Sequence, residues 1–250
     1  MNRGGTKLKN AVIKRIGRIF GHQKYQKFII ITRSRTGSNL LISLLNSHPC
    51  VSTEGEVFNR LNDRSWKAVW DGIFSKYWYS INTVGFKLFY YHPMDDSGEA
   101  LWNAIQENQS IRIIHLVRKN MLRTYVSREI ALKQDIWTSQ EAQLKETTKT
   151  KKVEIDGGKC IEEFKRIQGW EQNTRERFST HPFLEISYED MVSDKKEVMQ
   201  SVFDFLNVPN HTVSSELKKQ NPESLPNLIE NYDSLSKLLQ EHGYGHLLEE

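Results

Sequence analysis

The run Phe28-Ile-Ile-Ile-Thr-Arg-Ser-Arg-Thr-Gly-Ser-Asn-Leu-Leu41 constrains the fold of this chain more than any other stretch. Four apolar residues, Phe28 to Ile31, predict a short buried strand. A hydroxyl-rich turn containing Gly37 follows, and Leu40, Leu41, Leu44 and Leu45 then recur at helical spacing. Strand, tight turn and helix in that order make an anion cradle. The first helical turn offers backbone N–H groups that lack intrahelical partners, at the positive end of the helix dipole. Gly37 lets the backbone come close to a ligand, while Arg35, Thr36, Ser38 and Asn39 add charge and side-chain donors. The expected ligand is a phosphate or sulfate. The nucleotide-hydrolysing pattern G-x-x-x-x-G-K-[ST] is absent, because position 32 is Thr and no Lys follows Gly37. Taken alone, the loop also fits an ordinary turn between a strand and a capped helix.

Strands alternate with helices along the rest of the chain. Val51 and its neighbours, Val84–Phe89, Ile111–Val117 and Phe183–Tyr188 predict strands, with helices near 95–108, 119–132, 161–178 and 191–206. Trp66, Trp70 and Phe74 share a helical face and suit core packing or, as the alternative, a platform for a sugar ring. Residues 133–159 are polar, carry Lys149, Lys151 and Lys152, and end in Gly157-Gly158, so they are predicted to form an excursion or lid. The tail reads as helical and polar. This alternation predicts a mainly parallel sheet covered by helices on both faces. Ligands of such sheets bind beyond the carboxyl ends of the strands, where the loops after Ile31 and Val117 both fall.

With 250 residues, one domain over 27–250 follows a basic segment over 1–26. Leu8, Val12, Ile16, Ile19 and Phe20 can share a helix face ringed by Lys9, Lys14, Arg15 and Arg18. Three forms compete for this segment: a helix on an anionic membrane surface, a helix packed on the domain, and a basic tail. No membrane-spanning run or signal-peptide core is visible, so a cytoplasmic protein is expected, peripheral to the inner membrane surface if the first form holds. The net charge of +4 suits anionic ligands without calling for nucleic acid. Cys50 and Cys160 build neither a disulfide framework nor a zinc site.

A second basic element, Ile113-Ile-His-Leu-Val-Arg-Lys-Asn-Met-Leu-Arg-Thr-Tyr-Val-Ser127, puts Arg118 at a strand end and Ser127 about two helical turns on. A guanidinium fork and a compact hydroxyl suit a second phosphate. Together the two elements resemble the sulfotransferases, which take a sulfuryl group from 3′-phosphoadenosine 5′-phosphosulfate. The family's 5′-phosphosulfate loop, in forms such as P-[KR]-S-G-[ST], is matched by Thr32 to Asn39 with Arg35 at the basic position. Its 3′-phosphate pair is matched by Arg118 and Ser127. Asn46-Ser-His-Pro49, Gly55-Glu-Val-Phe-Asn59, Gly85-Phe-Lys-Leu88 and Leu116-Val-Arg-Lys-Asn-Met-Leu-Arg123 look like bacterial carbohydrate sulfotransferases related to the trehalose enzyme. Two departures stand out: Arg118 and Ser127 lie one residue further apart than usual, which brings Lys119 to the usual spacing, and Ser34 replaces a common Pro.

The resemblance implies an α/β, P-loop-NTPase-like, three-layer fold. It implies donor binding by Arg33, Arg35, Thr36, Gly37, Ser38, Asn39, Arg118, Lys119 and Ser127, and catalysis by Glu56, Arg35 and Lys87 with no metal. The acceptor would be a saccharide or glycolipid hydroxyl, and the oligomeric state is left open. Glu56 matches the position of the family's carboxylate base, with Glu54 as reserve and a solvated loop carboxylate as the alternative for both. Lys87, expected at the end of a strand Val84–Lys87, would act near sulfate or acceptor, or be an ordinary strand-exit Lys. His48 reads as a hinge residue, and His92 and His115 as poor bases. Two further functions stay open: an ATP-using P-loop-like kinase, against which the missing Lys counts, and a non-catalytic anion-binding module.

Overall fold

The computed structural model describes residues 19–135, 152–215, 217 and 221–249. The basic segment up to residue 18 and most of the polar stretch, 136–151, lie outside them. The elements in chain order are β1 (Gln26–Thr32), α1 (Ser38–Asn46), β2 (Val51–Glu54), α2 (Trp66–Ile73), β3 (Thr83–Phe89), α3 (Glu99–Glu107), β4 (Arg112–Val117) and α4 (Met121–Gln134). They continue as α5 (Gly157–Arg177), β5 (Phe183–Ser187), α6 (Tyr188–Ser193), α7 (Lys195–Leu206), α8 (Leu225–Leu228), α9 (Tyr232–Glu241) and a closing 3-10 turn, Gly245–Leu248.

The five strands form one parallel sheet in the order β2-β3-β1-β4-β5. Strand β1 is central because both of its faces are apolar, and the period-two alternation divides its side chains between two layers. Ile29 and Ile31 pack with Val69, Ile73, Phe86, Leu101 and Ile105, beneath α2 and α3. Phe28 and Ile30 pack with Leu41, Leu44, Met199, Val202 and Phe203, beneath α1 and α7. The result is the expected three-layer α/β fold of P-loop-NTPase type. Gly85 is dictated by this packing, since a Cβ there would sit 2.5 Å from the Phe28 carbonyl oxygen and 2.6 Å from its ring.

Several sequence expectations need correction. Lys87 does not end its strand: β3 runs to Phe89, as the apolar pattern over Val84–Phe89 predicts, and Lys87 pairs in register with Ile30. The polar excursion is shorter than 133–159. Helix α4 holds to Gln134, Asp156 caps α5 by accepting from the Lys159 N–H, and Val153 and Ile155 are buried. The tail is not a polar appendage, because Leu225, Leu228, Ile229, Leu235, Leu239 and Leu247 build a third core against α4 and α5. Asn231 ties the tail to the start of α5, since both of its amide atoms bond the Ile155 backbone, at 2.9 Å each. The helix expected over 191–206 is two helices, broken where Asp194 caps α7.

Candidate active site

The turn between β1 and α1 is fastened from within. Thr32 Oγ1 donates to the Leu116 carbonyl of β4 at 2.6 Å, and Thr36 Oγ1 donates to the Arg33 carbonyl at 2.9 Å and meets Thr32 Oγ1 at 2.7 Å. The hydroxyl of Thr36 is therefore spent on the loop itself, which leaves its backbone N–H as the group it can offer a ligand. Arg35 adopts φ 66° and Gly37 φ 81°, both left-handed, and this double turn points the start of α1 at the crevice beyond β1. A Cβ on Gly37 would lie 2.3 Å from the Tyr188 ring, so residue 37 must be glycine for a second reason.

Tertiary contacts bring the second element to this turn. Arg118 is 10% exposed; its Nη1 donates to the Arg35 carbonyl at 2.8 Å, and its guanidinium lies over the Tyr188 ring at 4.5 Å. Ser127 Oγ accepts from Arg35 Nε at 2.9 Å and from Asn221 Nδ2 at 3.2 Å. Arg35, Arg118 and Ser127 thus form one cluster. Burial, and then the charge of Arg118, depress Arg35 to about 10, and burial also lowers Arg118. Two crowded, desolvated guanidinium groups, with the Glu189 carboxylate 3.8 Å from Arg118 Nε, favour a further anion beside them, and this is the physical mark of an anion site. Lys119 does not join them: its side chain is 61% exposed and its Nζ lies 2.7 Å from Asp190 Oδ1. Arg33 also departs from the group, lining a separate cavity of about 260 Å³ with Ser34, Tyr91, Arg128 and Trp170.

Lys87 is the hub on the other side of the crevice. In β3, Phe86 and Leu88 face α2, so Lys87 faces α1. Its side chain is 2% exposed, and its ammonium contacts Asn39 Oδ1 at 2.8 Å, Ser38 Oγ at 3.4 Å and Glu56 Oε1 at 2.8 Å. Glu56 stands just past β2 and is 36% exposed, so its carboxylate reaches both Lys87 and solvent. A cleft of about 640 Å³ opens beside it, lined by Glu54, Asn59, Arg60, Asn62 and Arg64. The helix α2 aromatics sit beneath this cleft as core: Trp70 packs edge-on against Phe74 and Phe86, as the packing reading requires.

Three residues of the cluster escaped the sequence analysis. Tyr188 backs Gly37 and Arg118; Glu189 accepts from the backbone N–H groups of Lys119 and Asn120 at 3.0 and 3.3 Å; Asn221 holds Ser127. The local pattern Tyr188-Glu-Asp190 encodes only a helix start. That start is real, with Ser187 accepting from the Asp190 N–H, but the work of Tyr188 and Glu189 is done across the sheet. Among the histidines, His48 bridges the Pro209 carbonyl and the Cys50 N–H, whereas His115 is buried between Tyr90 and Glu185. Burial drives His92 down to about 4, so its ring is neutral at physiological pH. Among the described residues, no group of three or more His, Cys, Asp and Glu side chains gathers to hold a metal.

Comparison with known proteins agrees with this geometry. A sulfotransferase family model matches residues 109–212, the part that carries Arg118 to Ser127 and Tyr188. Nodulation protein H of Rhizobium tropici is 24% identical over 231 residues, covering 85% of this chain and 88% of that protein. The crystal structure of a sulfotransferase from Alicyclobacillus acidocaldarius superposes with a TM-score of 0.53 at 17% identity, over 89% of this chain and 93% of that one, a likeness of fold. The sheet order, the anion cradle and these matches converge: in sequence and in fold the chain is similar to sulfotransferases.

Proposed function

We propose that the protein transfers the sulfuryl group of 3′-phosphoadenosine 5′-phosphosulfate to a hydroxyl of a saccharide or glycolipid. The observation that carries this reading is Lys87, one buried ammonium that touches both the first turn of α1 and the carboxylate of Glu56. Donor loop and candidate base are thereby held within one ammonium's reach of each other, as a direct transfer between two bound substrates requires.

In this scheme the turn from Arg35 to Asn39 receives the 5′-phosphosulfate, and Arg118 with Ser127 receives the 3′-phosphate. Glu56 accepts the proton of the acceptor hydroxyl while that oxygen bonds to sulfur in line. The bond from sulfur to the bridging oxygen breaks, and its electron pair stays on the 5′-phosphate. Charge then grows on the phosphate oxygens, where Lys87, Arg35 and the backbone N–H groups of α1 stabilise it. The carboxylates, amides and guanidinium groups lining the cleft beside Glu56 suit a polyhydroxyl acceptor. The basic segment 1–26 is proposed to favour an acceptor at an anionic membrane surface; its deletion should abolish binding to anionic vesicles, and unchanged binding would remove that part of the proposal.

Calorimetric titration with adenosine 3′,5′-bisphosphate, without metal and with ATP and AMP as controls, tests the donor assignment. Selective binding of the bisphosphate is expected. A preference for ATP would point to a kinase, and binding with no transfer to any glycoside would point to an anion-binding module.

A further inference from the structure

Arg33 is a buried charge that the site described above leaves unused. It is 5% exposed, and its Nε and Nη2 have no hydrogen-bond partner among the described residues. Both nitrogens belong to a side chain that lines the cavity of about 260 Å³ between the β1–α1 turn, α4 and α5. Two further guanidinium groups, Arg128 and Arg166, line the same space against one carboxylate, Glu163, which pairs with both. Arg128 is additionally paired with Glu129, while Arg33 feels the Glu171 carboxylate through space and makes no hydrogen bond through Nε or Nη2. One wall is aromatic: Trp170 stacks on Tyr90 at 5.6 Å, contacts Tyr91 at 5.7 Å and carries the Arg166 guanidinium at 5.2 Å.

Location gives this cavity its meaning. Tyr91 and Ser34 both line the cavity, and the Tyr90 N–H donates to the Thr32 carbonyl at 3.0 Å, so the cavity opens at the carboxyl ends of β1 and β3, the sheet edge that also carries the β1–α1 turn. Its volume is below the roughly 300–1,000 Å³ of a complete small-molecule site, so it fits a substituent of a larger ligand. The more open cleft of about 640 Å³ that Glu56 lines has room for the ligand's body. A buried guanidinium that lines such a space is satisfied by a carboxylate, phosphate or sulfate oxygen that reaches it.

We infer that Arg33 heads an anion subsite for the acceptor, and that the acceptor is therefore a saccharide already bearing an anionic substituent. This rests on the sulfotransferase reading for the word acceptor; the anion subsite itself does not depend on turnover.

The test is calorimetry on the full chain, with adenosine 3′,5′-bisphosphate saturating the donor site. The probes are methyl glucuronide, methyl glucoside and inorganic sulfate. Glucuronide is expected to bind at least tenfold more tightly than glucoside, and Arg33→Met to erase that difference. Arg166→Gln, at a side chain 56% exposed, should reduce the preference severalfold without threatening the fold. Equal affinity for the two glycosides, no measurable glucuronide binding, or a preference that survives Arg33→Met in a folded variant overturns the inference. So does sulfate that binds as tightly as glucuronide, which would assign the cavity to a free anion. A loss of bisphosphate affinity in Arg33→Met as large as the loss for glucuronide would return Arg33 to the donor site. Failure of the sulfotransferase reading shows separately, as absent bisphosphate binding; the three probes are then titrated alone and the same comparison decides.

Discussion

Replacing Lys87 by Met removes one ammonium and keeps most of the side-chain volume, so packing changes little and chemistry changes most. The lost contacts are those to Glu56 and Asn39, each 2.8 Å, and the longer one to Ser38. Each charged hydrogen bond contributes about 1.5–3 kcal/mol net. Glu56 is 36% exposed and recovers water when Lys87 goes, so the stability cost is expected near the bottom of that range. At about 2–4 °C of Tm per kcal/mol for a chain of this size, the variant should remain folded at 25 °C. Turnover should fall much further. Lys87 is proposed to meet charge that develops only as the bond to phosphate breaks, and loss of one such donor typically costs about 100- to 1,000-fold in kcat. The assay is steady-state sulfuryl transfer to a glycoside, with bisphosphate affinity measured beside it. A large loss in kcat is expected with bisphosphate affinity changed severalfold at most. Because Lys87 and Glu56 touch, the double variant Lys87→Met/Glu56→Gln should be little worse than the poorer single variant. A kcat within threefold of the parent, in a folded Lys87→Met protein, would refute the argument and leave Lys87 as a structural cation.

Glu56→Gln should depress kcat strongly while bisphosphate binding stays near normal; undiminished turnover would exclude Glu56 as the base. Arg118→Ala should weaken bisphosphate binding by about 1.5–3 kcal/mol, roughly 10- to 150-fold, with Lys119→Ala nearly silent in the same titration. A larger effect from Lys119 would reverse the assignment drawn from its contact with Asp190. Gly37→Ala must put a methyl group into the Tyr188 ring at a left-handed φ, so lower stability and weaker bisphosphate binding are expected together, read by thermal melting and calorimetry. Hydrogen bonding from His115, reinforced by Arg175, holds the Glu185 carboxylate down to about 2 from an ordinary 4.5. A depressed carboxylate stabilises the fold above its unfolded value and loses that effect as pH falls through the folded one. The stability gap between parent and Glu185→Gln should therefore narrow between pH 4.5 and 2, and a gap independent of pH in urea titrations would argue against the contacts of Glu185 with His115 and Arg175.

Local pattern made the first half of the site readable. The strand, turn and helix from Phe28 to Asn46 are specified by neighbours in sequence, and the structure returns them with α1 starting at Ser38. Arg118 and Ser127 were legible through spacing, but the choice between Arg118 and Lys119 was not. It depends on which side chain leaves β4 toward the Arg35 carbonyl and which toward Asp190. The tail was misread because its average polarity hid leucines spaced for burial, and those leucines find their partners only on α4 and α5.

The sequence by itself therefore determined the layered α/β architecture, the anion-cradling turn and the residue types that could serve it, since periodicity, capping and glycine placement act over a few residues. Tertiary structure alone decided which of those residues meet. It sent Lys87 to the α1 face and onto Glu56, brought Tyr188 and Asn221 to a cluster more than 30 residues away in sequence, and separated Arg33 from the turn it belongs to. Side chains converge across a parallel sheet through register and helix packing, and no local pattern encodes the partner on the next strand.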